Sequence, residues 1–218
     1  MSTPITIGPF TIAIDGPAAA GKGTLARRLA ATLGLPYLDT GLLYRATGRL
    51  VLDAGGDPAD PATATAAASA LTPADLQRPD LRGPQADAAA AAVAAIPGVR
   101  AALLDFQRGF GRSGGAVLDG RDIGTVIFPE ARLKIFVTAS LAERARRRFL
   151  ERQAKGTPAP YDQVEADMRA RDSQDAARAA APLKPADDAV ILDTTTLDAD
   201  AVFAEVLALA HARLASRN

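Results

Sequence analysis

The 218-residue chain is long enough for one domain with a buried core, and its 25 basic and 25 acidic side chains cancel, which argues against a broad electrostatic surface for nucleic acid or an anionic membrane. Cysteine is absent, so disulfides and Cys-based metal sites are excluded, and the lone histidine, His211, sits in an amphipathic stretch where it reads as a surface residue rather than a catalyst. No basic-plus-apolar leader opens the chain and no apolar run approaches the ~20 residues that span a bilayer, so the expectation is a soluble cytoplasmic monomer.

The first element is the apolar run Phe10–Asp15, read as a buried strand. Gly16-Pro17-Ala18-Ala19-Ala20-Gly21-Lys22-Gly23-Thr24 follows, and helical periodicity runs over 25–33. Strand, glycine-rich loop, lysine and helix in this order form the context of a phosphate-binding loop. Glycines let the chain wrap a polyphosphate closely, and backbone N–H groups converge on the anion at the positive helix end. Lys22 can reach the outer phosphates, and Thr24 offers a hydroxyl to the phosphates and their metal. Gly23 rather than Ser or Thr follows the lysine, an ending closer to nucleoside monophosphate kinases than to GTPases or motor ATPases.

Four further short apolar runs, 35–39, 116–119, Leu133–Thr138 and 189–193, read as strands, with helical segments between them. That alternation predicts an α/β fold of the P-loop NTPase type, a doubly wound five-stranded parallel sheet. Asp15, Asp39, Asp119 and Thr138 close four of the strands. Each either faces the ligand crevice beyond the strands' carboxyl ends or caps the next helix.

Between 41 and 112 the sequence is rich in alanine, and 63–70 and 85–95 read as helices. Asp57-Pro58, Thr72-Pro73, Arg78-Pro79, Gly83-Pro84 and Pro97-Gly98 read as turns. The expectation is a helical insertion at about 41–112 within one domain, 1–218, whose core is 1–40, 113–140 and 179–218. Residues 141–152 form a basic helix with Arg144, Arg146, Arg147, Arg148 and Arg152, whose bland reading is a solvated face paired with Glu143 and Glu151. A Gly/Pro loop and a second helix, Tyr161–Ala177, complete a small hinged flap at about 141–178. A closing amphipathic helix over 197–214 is expected to pack on the sheet.

Asp119-Gly120-Arg121-Asp122 is the second strong constellation. Asp119 stands where a Walker B acid holds Mg²⁺ through water. Arg121 can cross from one phosphate group to another, and Asp122 can accept from a nucleobase amine; a plain Asp-Gly turn is the alternative. Arg45, Arg171 and Arg178 add planar donors that match phosphate oxygens. A phosphate acceptor, whose second pKa is ~6, needs no strong general base, and none is evident. Asp39 could serve an alcohol acceptor.

Along nearly its whole length the chain resembles bacterial cytidylate kinases, a nucleoside monophosphate kinase family. The matching segments are Ile14-Asp15-Gly16-Pro17, Gly21-Lys22-Gly23-Thr24, Leu38-Asp39-Thr40-Gly41 with Tyr44-Arg45, Val99-Arg100, and Asp119-Gly120-Arg121-Asp122 with its tail to Pro129. Arg171-Asp172 with Asp175 and Arg178, then Ala181-Pro182-Leu183, close the match. The resemblance implies MgATP as donor, held by Gly16 to Thr24, and CMP or dCMP as acceptor. It implies acceptor contacts from Thr40, Gly41, Arg45, Arg100, Arg121, Asp122, Arg171, Asp175 and Arg178, with Lys22, Arg121, Arg171 and Arg178 catalytic and Thr24 and Asp119 near the metal. Asp122 would favour cytosine over uracil, whose carbonyl would leave a buried carboxylate unpaired. The family's usual serine is Thr40 here, Ala91 or Ala92 stands where a base-touching serine is common, and the insertion between Ala70 and Gln85 looks short. A shikimate- or gluconate-type alcohol kinase, a UMP or AMP kinase and a nucleotide switch are the rivals. The last would need an Asn-Lys-x-Asp guanine reader, which does not occur.

Overall fold

The computed structural model of the chain describes residues 10–112 and 114–215; the expected core segments also take in 1–9, 113 and 216–218, which lie outside the described residues. The chain divides into two compact units, one joining the residues up to Leu38 to those from Gly111 onward, the other Asp39–Phe110.

The first unit is built on a parallel sheet of β1 (Phe10–Asp15), β2 (Tyr37–Asp39), β3 (Gly115–Gly120), β4 (Leu133–Thr138) and β5 (Val190–Asp193), in the order β2-β3-β1-β4-β5. Every residue of β1 and β3 is buried. These two strands are covered on both faces, which is why they read as continuous apolar runs rather than alternating ones. The β1–β3 register sets Asp15 opposite Gly120, and the β1–β4 register sets Asp15 opposite Phe136. The segments leaving β1 and β3 therefore emerge level with one another, at the point where strand order reverses.

Helix α1 (Lys22–Leu33) begins at Gly21, φ 94°, and ends at Gly34, φ 65°, whose N–H donates to the Ala30 carbonyl. Its start is earlier than periodicity suggests, because the first turn carries Lys22, Gly23 and Thr24 instead of apolar residues. Leu25, Ala26 and Leu29 of α1, with Val202, Val206 and Ala210 of α8 (Ala199–Ala215), cover Ile12, Ile14, Val117 and Ile135. Leu29 alone, fully buried, stabilises by about 1.5–3 kcal/mol on that account. Helix α6 (Leu141–Ala154) is capped by Ser140, whose hydroxyl accepts the Glu143 N–H at 3.3 Å. It packs on α7 (Tyr161–Ala177) through Ala145, Phe149, Val164 and Met168, with Ala18 and Ala19 of the loop in the same cluster.

The second unit holds α2 (Thr40–Asp53), α3 (Pro61–Ser69), a 3-10 turn (Pro73–Gln77), α4 (Pro84–Ala94) and most of α5 (Pro97–Arg112). The alanine-rich pair expected from the sequence is present as α3 and α4. Helices α2 and α5 are additions, and Pro97-Gly98 opens α5 rather than forming a turn. Proline is tolerated at the first helical position, where its missing N–H would have no intrahelical partner. Gly48 of α2 touches α4 so closely that a Cβ there would lie 2.7 Å from the Ala89 Cβ. The segment between α3 and α4 is short but tied down. Thr72 and Asp75 form a capping box, and Arg49 and Arg78 both pair with Asp53 and Asp80 at 2.8–3.0 Å. Among the described residues no single helix is long and apolar enough to cross a membrane.

Candidate active site

The loop between β1 and α1 is shaped by backbone conformations that the sequence only partly declares. Gly16 sits at φ 144°, with no room for a side chain: a Cβ would lie 1.9 Å from the Val137 carbonyl oxygen. Ala19 adopts the left-handed conformation, φ 58°, although it is not glycine. That costs roughly 1–2 kcal/mol and is the kind of local strain that binding loops hold. Lys22 is buried, and its Nζ donates to the Pro17 carbonyl at 2.8 Å across the loop. Burial, and next the Arg121 charge, push the Lys22 ammonium below the usual lysine range, while Asp119 and Asp15 oppose the shift.

Two of the strand-end acids take different roles. Asp119, buried at the end of β3, brings a carboxylate oxygen to 3.3 Å from where a Cβ on Gly23 would be, beside Thr24. A serine or threonine at position 23 would crowd that carboxylate, so glycine after the lysine has a local steric reason. Asp15 instead accepts the N–H groups of Ile123 and Gly124, at 2.8 and 2.7 Å. It caps a single π-helical turn, Ile123–Ile127, that follows Asp122. Burial pushes its pKa up to about 6, the two N–H donors opposing.

Arg121, Asp175 and Arg178 form one cluster. Arg121 Nε donates to Asp175 at 2.8 Å, and Arg178 Nη2 donates to the same carboxylate at 2.6 Å. Burial would raise the Asp175 pKa, but the charges of Arg121, Arg178 and Arg171 outweigh it and hold the carboxyl below its usual range. Arg171 also acts on Lys22 electrostatically. The sequence-named residues of α7 and its end thus gather with Arg121 and the loop lysine. Asp122 is buried next to Arg121.

A cavity of about 370 Å³ opens beside the loop, lined by Gly21, Thr24, Arg28, Arg146, Arg147, Thr194 and Leu197 among others. Here the structure adds residues that sequence reasoning did not single out. Thr194, just past β5, lies 3.2 Å from the Ala20 carbonyl and accepts from Arg147 Nη1 at 3.0 Å. The strand-end rule that pointed to Asp15 and Asp119 would have found it one residue beyond β5. Glu143 binds Arg146 through two hydrogen bonds and Arg147 through one. The Arg146 contact, with Arg147 adding, pulls the Glu143 pKa down to about 2. The bland pairing expected of the basic helix holds for these residues, and for Arg148 with Glu151. Arg144 departs from it: it is buried and leaves its own helix to bind Asp172.

In the second unit, Thr40 is buried at the start of α2, and the Asp39 carboxylate and Arg45 guanidinium flank Gly41, 3.0 and 3.1 Å from where its Cβ would be. Arg45 donates to Asp87 of α4 at 3.0 Å, and Arg100 of α5 lies over the Tyr44 ring at 5.7 Å. Asp39 occupies the helix-cap position without a capping side-chain bond. Ala91 and Ala92 lie on α4.

A parallel sheet with a glycine-rich loop and buried lysine at its switch point, and an acid and an arginine after the adjacent strand, defines a phosphate-loop kinase. A solved structure of an uncharacterized protein from Eubacterium ventriosum shares the fold at TM-score 0.54 and 13% identity, covering 95% of this chain and 99% of that one. The chain matches the family described as cytidylate kinase over residues 12–212. It is 61% identical over 207 residues to a cytidylate kinase of Acidiphilium cryptum, covering 95% of this chain and 98% of the relative. It is 64% identical over 192 residues to one of Granulibacter bethesdensis, covering 88% and 92%. The chain belongs to the cytidylate kinase family and is a nucleoside monophosphate kinase, a transferase.

Proposed function

We propose that the chain transfers the γ-phosphoryl group of MgATP to the phosphate of CMP or dCMP, giving ADP and CDP or dCDP. The observation that carries this reading is the gathering of Lys22, Arg121, Asp175 and Arg178 around the loop, next to the buried carboxylate of Asp122. In the transfer, an acceptor phosphate oxygen forms a bond to the γ-phosphorus as the bond to the β,γ-bridging oxygen breaks, and the negative charge passes to ADP. Lys22, Arg121 and Arg171 neutralise that charge and align the groups. The Nε of Arg178 is buried with no protein hydrogen-bond partner, which fits a ligand atom completing it.

We assign the loop from Gly16 through Pro17, Ala18, Ala19, Ala20, Gly21, Lys22 and Gly23 to Thr24 to the ATP phosphates, and the adjoining cavity to its nucleoside. Thr40, Gly41, Arg45, Arg100, Arg121, Asp122, Arg171, Asp175 and Arg178 serve the acceptor, and α6 with α7 forms the lid that closes over ATP. The Asp119 carboxylate, which lies close to Gly23, and the hydroxyl of the adjoining Thr24 are oxygen donors of the kind Mg²⁺ takes, an ion that keeps several waters and draws the rest of its ligands from phosphates. Thr24 and, through water, Asp119 would hold it, and it would neutralise phosphate charge. The protein works as a cytoplasmic monomer in pyrimidine nucleotide supply.

The test is ADP release from MgATP with CMP, dCMP, UMP, AMP and shikimate in parallel. Preference for CMP and dCMP is expected. A faster rate with shikimate, or equal rates with AMP, would overturn the acceptor assignment. Asp122→Ala should then erase the preference for CMP over UMP while leaving the KM for ATP in place.

A further inference from the structure

The reading above gives no task to Arg144, a buried arginine. Its side chain is 7% exposed, against 59% for that of Arg146. Arg146 and Arg148 pair within their own helix, to Glu143 and Glu151. Arg144 reaches three other segments: Nε donates to the Ala139 carbonyl at 2.9 Å, Nη1 to the Ala18 carbonyl of the phosphate loop at 3.4 Å, and both Nη atoms to Asp172 of α7, at 3.1 and 2.7 Å. The planar fork suits this, since one guanidinium can hold a carboxylate bidentately and still face two carbonyls, which an ammonium cannot do in one plane. Asp172 directly follows Arg171 in the helix, and Asp175 and Arg178 lie one and two turns further on.

We infer that Arg144 and Asp172 are positioning residues for phosphoryl transfer: their ion pair, anchored on the Ala18 carbonyl, fixes the turn of α7 that carries Arg171 relative to the phosphate loop. The apolar packing of Ala18 and Ala19 against Ala145, Val164 and Met168 holds the same segments together but lies N-terminal to the turn that carries Arg171. The ion pair supplies the rotational constraint at that turn. A rotation of α7 would move Arg171 away from Lys22 and would carry Asp175 away from Arg121. Small misplacements of this kind are expensive in rate, a shift of ~1 Å costing up to ~100-fold.

The inference rests on the transfer role proposed for Arg171, and the experiment separates the two. Steady-state kinetics with MgATP and CMP, with thermal melts, are run on the full chain as wild type, Arg171→Ala, Asp172→Asn, Arg144→Lys and the double variant Arg144→Met/Asp172→Asn. Asp172→Asn keeps one acceptor but leaves the buried Arg144 charge unpaired, so its melt decides whether its kinetics are read, while the double variant leaves no buried charge unpaired and keeps the fold. Asp172→Asn and Arg144→Lys should each lower kcat by ~10- to 100-fold with the KM for ATP changed less than ~3-fold. The double variant should be no slower than the worse single one, the non-additivity expected of a pair acting as a unit. Normal kcat in folded Asp172→Asn and Arg144→Lys would overturn the inference, as would losses confined to melting temperature or shared equally by kcat and both KM values. If Arg171→Ala turns over normally, it is the role of Arg171 that fails, whatever Asp172→Asn does.

Discussion

At Asp15 burial and hydrogen bonding compete at a single carboxyl. Two N–H donors favour its charged form, yet burial wins and lifts the pKa from 3.8 to about 6. A raised folded pKa means stability that is fully present below about pH 3.8 and lost as pH rises through about 6, a cost of about 3 kcal/mol at neutrality. Relative to Asp15→Asn, the wild type should therefore lose stability between pH 4 and pH 7, read by denaturant unfolding at both values. Glu143 has the opposite sign. Its pKa falls from 4.5 to about 2, so its contribution is present above pH 4.5 and disappears as pH falls toward 2. The melting-temperature gap between wild type and Glu143→Gln should be level at neutral pH and close in strong acid; a gap that widened there would contradict the Arg146 and Arg147 contacts. Residue type and spacing marked Lys22, Asp119, Arg121 and Asp122 in advance. They did not reveal that Asp15 would turn to the Ile123–Ile127 segment, because which of two nearby acids faces the loop is decided by strand register and backbone N–H placement. For the charge assigned to Arg121, replacement by alanine should lower kcat by ~10³-fold or more, as loss of an arginine finger does. Near-normal turnover in single-turnover measurements would remove Arg121 from the transfer step.

At the scale of elements, β1 and β3 were legible because burial on both faces leaves uninterrupted apolar runs, and β1 and β4 fall where the sequence placed them. Helices α2 and α5 were not. Helix α2 begins with Thr40-Gly41 and carries Gly48, and α5 opens with Pro97-Gly98, so local propensity argued against both. Tertiary packing reverses that preference. Gly48 lets α2 and α4 meet at backbone distance, and Ala89 is small enough to receive it. Gly48→Ala sets two magnitudes against each other. Helix propensity favours alanine by ~1 kcal/mol, whereas forcing a Cβ to 2.7 Å from Ala89 incurs an overpacking cost of ~1–3 kcal/mol. The clash includes backbone atoms of Ala89, which cannot swing away, so the larger cost prevails. Chemical denaturation should show a net loss of ~1 kcal/mol; a gain would mean that the helices separate freely. The ion network of Arg49, Asp53, Arg78 and Asp80 explains how a short connection keeps its place without strands. Its members are spread over 49–80, and no local pattern announces them.

For the whole molecule, the residues proposed for the donor belong to one compact unit and several of those proposed for the acceptor to the other, along a division near the composition shift at 41–112 that charge and length could not suggest. The division has a thermodynamic consequence. A ligand that binds only the folded state stabilises it by RT ln(1 + [L]/Kd), about 2.7 kcal/mol at a hundredfold excess over Kd. The loop from Gly16 to Thr24, Lys22 with its Pro17 contact and the cavity beside Thr194 all lie in the first unit. Arg45, held by Asp87, lies in the second. MgATP alone should therefore raise the melting temperature of wild type and Arg45→Ala equally, and Lys22→Ala should lose most of that rise. CMP turnover should discriminate the other way, failing in Arg45→Ala although its response to MgATP is intact. If Arg45→Ala also lost the MgATP-induced shift, donor binding would depend on the integrity of both units, and the assignment of the donor site to the first unit alone would have to be abandoned.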